Sequence, residues 1–329
     1  VTDILEPDQL EAGWVAVEAQ AAYKYFRPLA DARRRFVREA QSGRRIFFGI
    51  EQLDSETRGI SPGHLAIVVG YSHSGKTQLC LNVLYHNRDK RIALFIPDEP
   101  APLVITKLAS LVFEVSARQL EDGVARGEPL AMRMLDETLA EFPNLTIFDQ
   151  PMTPKTVRRS WEEACSHWGD EGDLAVFDYL DLMQAGDRLA TKADAIKAFG
   201  TEVDVPVILL HQTSRLAGAQ GRPMRIDSGN YGGETWATYQ IGVWRKRFAI
   251  QAELYELYRK TRPSADDWNR LAELQHEAVV HERTVTINLS KNKRPGGQLI
   301  EDGIDFELHD SGQLVPFRGG LRSVTGGQR

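Results

Sequence analysis

The chain has 329 residues, 42% of them hydrophobic and 26% charged, a balance that excludes disordered and collagen-like classes and allows one large domain or two of average size. With 40 Lys and Arg against 46 Asp and Glu the net charge is -6, so a uniform basic coat is excluded and nucleic-acid contact is expected only from local patches. Two cysteines, Cys80 and Cys165, exclude a disulfide framework and a four-cysteine zinc site. No apolar run nears the ~20 residues that cross a bilayer, and VTDILEPDQL lacks a secretory pattern, so no membrane association and a cytoplasmic location are expected. The chain opens on Val1 rather than Met, which suggests a processed form or a piece of something longer.

In chain order, Leu10, Trp14, Val17 and Ala21 share a helical face, with Asp8 as cap and Pro28 as kink or stop. Leu29, Ala32, Phe36 and Ala40 repeat at the same spacing beside Arg33, Arg34, Arg35 and Arg38, and Ser42-Gly43 ends that helix. Residues 1–43 are too few for a core of their own, so this helical segment is expected to dock on the following domain or a neighbouring subunit.

From residue 44 to 317 short apolar runs alternate with amphipathic stretches. LAIVVG (65–70), RIALFIP (91–97), LTIFD (145–149), LAVFDYL (174–180) and VPVILLHQ (205–212) read as strands buried on both faces. Helical patterns fall at 76–86, 103–114, 129–141, 156–168 and 192–201. This alternation predicts an α/β fold with a mostly parallel central sheet flanked by helices, and with ligands at the carboxyl ends of the strands. The runs at 238–245, 283–291 and 304–309 alternate more and are placed at the far side of the sheet. A charged helical insert, about 248–282, is broken near Pro263, and the Gly-rich tail 318–329 is expected to be disordered.

Gly70 to Thr77, GYSHSGKT, fits GxxxxGK[ST] between a strand and a helix, the context in which backbone N–H groups cradle phosphates. Lys76 is placed to reach the β- and γ-phosphates of ATP, and the Thr77 hydroxyl to bind Mg²⁺. The nucleotide-binding set is Gly70, Ser74, Gly75, Lys76, Thr77, Gln78 and Asp178. Asp178 ends the strand LAVF and is the expected second metal-side ligand, with Asp181 as competitor three residues on. Asp98 and Glu99, in PDEP, end the strand after the cradle, and either suits the water-activating carboxylate. Gln212 ends VPVILLH, where a neutral side chain can sense the γ-phosphate.

Taken in order, FGIEQLDSETRGISPGHLAIVVG (48–70), PDEPAPLVITKLAS (97–110), LTIFDQP (145–151), LAVFDYLDLM (174–183), VPVILLHQTSR (205–215) and SKNKRPGG (290–297) resemble the motor domain of DnaB-type replicative DNA helicases, in the RecA-like P-loop NTPase superfamily. The resemblance runs from about Phe48 to Leu308. It implies an ATP-dependent helicase that encircles single-stranded DNA as a homohexamer, with Glu99 as catalytic glutamate and Gln212 as γ-phosphate sensor. It also implies a Lys-x-Arg finger that reaches the next subunit's ATP site. Here Lys291 matches its first member, Lys293 stands where the arginine is expected, and Arg294 is displaced by one, a change that matters because Lys lacks the planar fork of Arg.

Two loops leave the Asp178 and Gln212 strands, 185–194 and 214–233. The second carries Arg215, Arg222 and Arg225 with no acid before Asp227, which suits a phosphate-following surface. The resemblance places both loops at the pore of a ring and likens the helix bearing Trp14 and Val17 to the linker helix that docks on an adjacent subunit. The family's separate N-terminal domain, which contacts primase, has no counterpart before Gly43, so primase or a helicase loader is an open partner. A RecA-like recombinase and a nucleotide-dependent loading factor remain the alternatives at this point.

Overall fold

The computed structural model describes residues 28–41, 43–185, 189–213, 223–225, 236–262 and 264–317, so the helix expected from Asp8 and the tail from Arg318 lie outside the described residues. The chain divides into two units, Val1–Arg44 and Arg45–Arg329. The described part of the first is helix α1 (Leu29–Gln41), with Asp31 in its first turn and Arg38 in its last, as the helix dipole favours. Arg35 Nε donates to Glu39 at 2.5 Å one turn along, and no residue of α1 is buried.

The second unit begins with a short helix α2 (Glu51–Thr57) and then follows the strand–helix alternation: β1 (Leu65–Gly70), α3 (Lys76–His86), β2 (Ile92–Phe95), α4 (Ala101–Phe113), α5 (Ala117–Ala125), α6 (Pro129–Glu141), β3 (Leu145–Phe148), α7 (Pro154–Trp168), β4 (Leu174–Phe177), α8 (Leu189–Glu202) and β5 (Val207–Gln212). After them come β6 (Tyr239–Trp244), the helical insert α9 (Lys246–Tyr258) and α10 (Ala265–Val280), then β7 (Thr284–Asn292), β8 (Ile300–Leu308) and β9 (Leu314–Pro316). One sheet of nine strands runs in the order β3-β2-β4-β5-β1-β6-β7-β8-β9. The pairs from β3 to β6 are parallel, and β7, β8 and β9 continue antiparallel.

Continuous apolar strands are buried because helices cover both faces. Ala66 and Val68 join Leu79, Leu84 and Leu108 on one side, and Leu65, Ile67 and Val69 join Val157, Trp161, Ile196 and Phe199 on the other. The exception is β3. Sequence patterning places it as doubly buried, whereas every position is half-exposed, because β3 is the edge of the sheet. Helices α2 and α5 and strand β9 are elements that the patterning did not resolve.

Two contacts hold the strands whose ends matter. At the amino ends of β2 and β4, Asp173 accepts from the Arg91 backbone N–H at 3.0 Å and from its guanidinium at 2.9 and 3.1 Å. Near the carboxyl ends, Phe148, Phe95 and Phe177 pair in register across β3, β2 and β4 and stack with ring centroids 5.0 and 4.8 Å apart. Truncation of the stack by Phe177→Ala is expected to cost about 3–5 kcal/mol, read as a lowered urea midpoint with an unchanged slope.

Candidate active site

Strand β1 ends in a loop whose shape its glycines impose. A Cβ on Gly70 would lie 2.3 Å from the Val243 carbonyl oxygen and 2.6 Å from Ser74 Oγ, so only glycine lets the loop pass against β6. Gly75 adopts a left-handed φ of +108° immediately before α3 starts at Lys76. His73 is exposed with φ +60°, and Ser74 N–H closes the turn onto the Tyr71 carbonyl at 3.2 Å. Lys76 Nζ folds back to donate to the carbonyls of Gly70 and Tyr71 at 3.0 and 2.6 Å. Burial pulls this ammonium down to about 8, against the opposing pull of Asp178 and Asp181.

Asp178 arrives at the end of β4, its backbone N–H bonded to the Phe95 carbonyl at 2.9 Å. Its Oδ2 accepts from Thr77 Oγ1 at 3.0 Å. Burial raises its carboxyl to about 6, and neighbouring Glu99 adds to the rise, while the Thr77 hydroxyl, Lys76 and Lys107 oppose it. Asp181 instead faces His211, with Oδ2 at 3.4 Å from Nδ1. Burial raises the Asp181 carboxyl, but the neighbouring His211 ring and the Lys192 ammonium outweigh this and hold it below the ordinary value. The structure therefore brings Asp178, and not Asp181, to Thr77.

Glu99 follows β2 and is gripped by Lys107, two turns along α4, with Nζ at 2.5 and 2.6 Å from its two carboxylate oxygens. Gln212 is opposite Gly70 in the β1–β5 register, and the next N–H, that of Thr213, donates to the Gly70 carbonyl at 3.1 Å. Gly75, Lys76, Thr77, Gln78, Asp98, Glu99, Asp178 and Gln212 all line one cavity of about 500 Å³. Gly70 and Ser74 shape its floor from outside the lining, and the buried Ser74 Oγ has no partner among the described residues.

Three cations of this cavity were not found by sequence reasoning: Lys107, Arg245 and Arg247. The two arginines follow the carboxyl end of β6, the rule that singled out Asp178, and both donate to the Glu282 carbonyl, at 3.2 and 3.4 Å. Burial, with Arg247 beside it, pulls Arg245 down to about 10, and both Nε atoms lack a partner among the described residues. Since β6 lies on one side of β1 and β5, β4 and β2 lie on the other, the arginines stand at one end of the cavity and Asp178 and Glu99 at the other.

A nucleoside triphosphate with Mg²⁺ fits this donor set. Four cationic side chains, two of them with unpartnered Nε atoms, meet a phosphate loop, and the paired oxygens of Thr77 and Asp178 are hard donors of the kind Mg²⁺ prefers. Among the described residues no group of three His, Cys, Asp or Glu is placed to hold a metal without such a ligand.

The other singled-out residues lie elsewhere. Strand β7 runs antiparallel to β6, so Thr286 is opposite Trp244 at the cavity end, and Asn292 is opposite Tyr239 at the other end of the sheet. Lys291, Lys293 and Arg294 are thus roughly 20 Å along the strand from their own chain's cavity. Arg225 is held over β6 and β7, and Arg215 and Arg222 lie outside the described residues.

Over residues 46–229, more than half of the chain, the sequence matches the family described as DnaB-like helicase C terminal domain. It is 27% identical over 197 residues to the replicative DNA helicase DnaB of Pasteurella multocida (strain Pm70), covering 54% of this chain and 41% of that protein. With DnaB of Rhodothermus marinus it shares 27% identity over 244 residues, 65% of this chain and 25% of that protein. The chain spans well under half the length of these curated relatives. Among solved structures, an isolated ATPase domain aligns with a TM-score of 0.64 at 18% identity, over 88% of this chain and 99% of that one. A DnaB-like replicative helicase, studied with its interactions with primase, gives 0.62 at 18% identity over 83% of this chain and 62% of that one. These two likenesses show a RecA-like α/β ATPase fold preceded here by a short helical segment. With the family match running from Ile46 through the phosphate loop and strands β1 to β5, the chain belongs to the DnaB-like helicase C-terminal domain family.

Proposed function

We propose that this chain is the ATP-driven motor of a replicative DNA helicase, moving on single-stranded DNA as a homohexameric ring. The observation that carries the proposal is the convergence of Lys76, Thr77, Asp178, Glu99 and Gln212 on one cavity. Residues 1–43 act as the docking segment and 44–317 as the motor, and primase or a loader is the expected protein partner.

In this account Lys76 exchanges its contacts with two loop carbonyls for the β- and γ-phosphates. Thr77 and Asp178 would hold Mg²⁺, which when bound would supply charge neutralisation at the phosphates. Glu99 orients and deprotonates the attacking water once Lys107 releases its carboxylate, and Gln212, beside Gly70, reports the γ-phosphate to the loop that follows β5. Arg245 and Arg247 hold the opposite end of the nucleotide. Lys291, Lys293 and Arg294 lie at the end of the sheet away from their own cavity, which suits a finger acting on the neighbouring subunit's ATP. Arg215, Arg222 and Arg225 contact DNA phosphates, so their removal lowers the salt dependence of single-strand binding.

On a forked DNA substrate the assembled chain is expected to unwind with ATP, and Lys76→Ala is expected to lose nucleotide binding altogether. Glu99→Gln is expected to bind ATP normally and to turn over about a hundredfold or more slowly. Equal turnover of Glu99→Gln and wild type would transfer the base role to Asp98.

The two buried titrations set a pH window. Below about 6 Asp178 is protonated and loses its hold on a cation, and above about 8 Lys76 loses the charge that attracts phosphate. Affinity for Mg²⁺-ATP, measured by calorimetry, is therefore expected to be highest between those values and to fall on both sides. Asp178→Asn is expected to remove the acid limb and, since the Asp178 charge supports the Lys76 ammonium, to move the alkaline limb to lower pH.

A further inference from the structure

Strands β6 and β7 carry polar side chains at positions where an interior strand is ordinarily apolar. Gln240 is 0% exposed and Asn288 1% exposed. Burial of an amide is unfavourable unless its hydrogen bonds are made; the two amide oxygens have no partner among the described residues, so the bonds made by the two nitrogens identify the task. Both donate to one short stretch of backbone in the long connection between β5 and β6. Asn288 Nδ2 reaches the Met224 carbonyl at 2.8 Å and Gln240 Nε2 reaches the Arg225 carbonyl at 3.0 Å.

Gly242, two residues along β6, completes the contact. A Cβ there would lie 2.0 Å from Asn288 Oδ1 and 2.4 Å from the Met224 Cβ, so glycine leaves the notch in which the Met224 side chain is buried. Pro223 adds a fixed φ at the start of the stretch. Residues 223–225 are thus seated at three points on the sheet, between flanking segments that belong to the arginine-bearing connection.

The same strand pair ends in Lys291–Arg294. Gln240 is opposite Lys291 where the β6–β7 register shifts, Ser290 Oγ donates to the Gln240 carbonyl at 3.3 Å, and Lys293 N–H donates to the Thr238 carbonyl at 3.0 Å. One residue, Gln240, therefore holds Arg225 through its side chain and the end of β7 through its main chain.

We propose that Gln240 and Asn288 are positioning residues for the single-strand contact. They seat residues 223–225 so that Arg225 meets a DNA phosphate from the strand pair that carries the intersubunit finger. This rests on the single-strand motor proposed above. A strand pair that shifts with the occupancy of the neighbouring ATP site then carries Arg225 with it, without a separate lever.

Asn288→Leu and Gln240→Met keep approximate shape and remove the amide donors, and Gly242→Ala fills the notch. Two measurements on the full chain test the proposal. The first is tryptic cleavage after Arg225, read by mass spectrometry, since Pro223 blocks cleavage after Arg222. The second is ATPase with and without single-stranded DNA, with circular dichroism confirming the fold. Each variant is expected to be cut about tenfold faster after Arg225 and to lose about tenfold in single-strand stimulation, the scale of one lost buried hydrogen bond. DNA-independent turnover is expected to stay within about twofold, and adding Arg225→Ala to Asn288→Leu is expected to cause little further loss, as for residues acting as one unit. Unchanged cleavage overturns the seat. Faster cleavage with full stimulation leaves the seat as packing only and overturns the positioning role. A wild-type chain with no single-strand stimulation contradicts the motor itself and the positioning role with it, while the cleavage rates still decide the seat.

Discussion

Gly70 touches the Val243 carbonyl on one side and stands opposite Gln212 on the other, with no room for a Cβ, and that close approach fixes where β1 turns into α3. It fixes the height at which Lys76 and Thr77 leave the loop. Because β5, β4 and β2 follow β1 in parallel register, Gln212, Asp178 and Glu99 reach the same rim. The aromatic stack of Phe148, Phe95 and Phe177 ties β2 and β4 in register, and a one-residue slip there would turn each acid to the wrong face.

The cavity is electrostatically uneven. At the β4 side a buried carboxylate is raised to about 6, and at the β6 side a buried guanidinium is pulled down to about 10, each shifted first by burial. A polyanion with its divalent cation would answer both, as a counter-charge for the arginines and a metal for Asp178. The Glu99–Lys107 ion pair keeps a second carboxylate of the cavity compensated.

The strands and the phosphate loop were legible in sequence because burial on both faces writes itself as an unbroken apolar run, and the acid or amide that ends the run marks the rim. Helix α2 was not legible, since only Leu53 and Thr57 of its seven residues are buried and no period can be read. Helix α5 left one local sign, the Ser116–Gln119 capping box, and β9 is three residues whose pairing with β8 decides its state. Lys107 joins the cavity only because two turns of α4 bring it back to Glu99. Arg245 closes the run read as the strand 238–245 and Arg247 falls between that run and the insert from about 248, so neither is tied to the cavity until β6 is placed beside β1. Gln240 and Asn288 look like ordinary alternation, and their partners come from a connection whose path no local pattern predicts.

The antiparallel turn into β7 has the widest consequence, since it takes Lys291, Lys293 and Arg294 to the end of the sheet opposite their own cavity. If those residues act on a neighbouring copy's site, as proposed above, turnover depends on assembly. The most direct measurement is ATPase of mixed assemblies. Lys76→Ala subunits keep their finger residues, and subunits carrying Lys293→Ala with Arg294→Ala keep their phosphate loop. Each kind alone is expected to be nearly inactive, and mixtures shown to co-assemble are expected to regain turnover wherever an intact loop faces an intact finger. Co-assembly without any recovery would contradict a site completed across the interface.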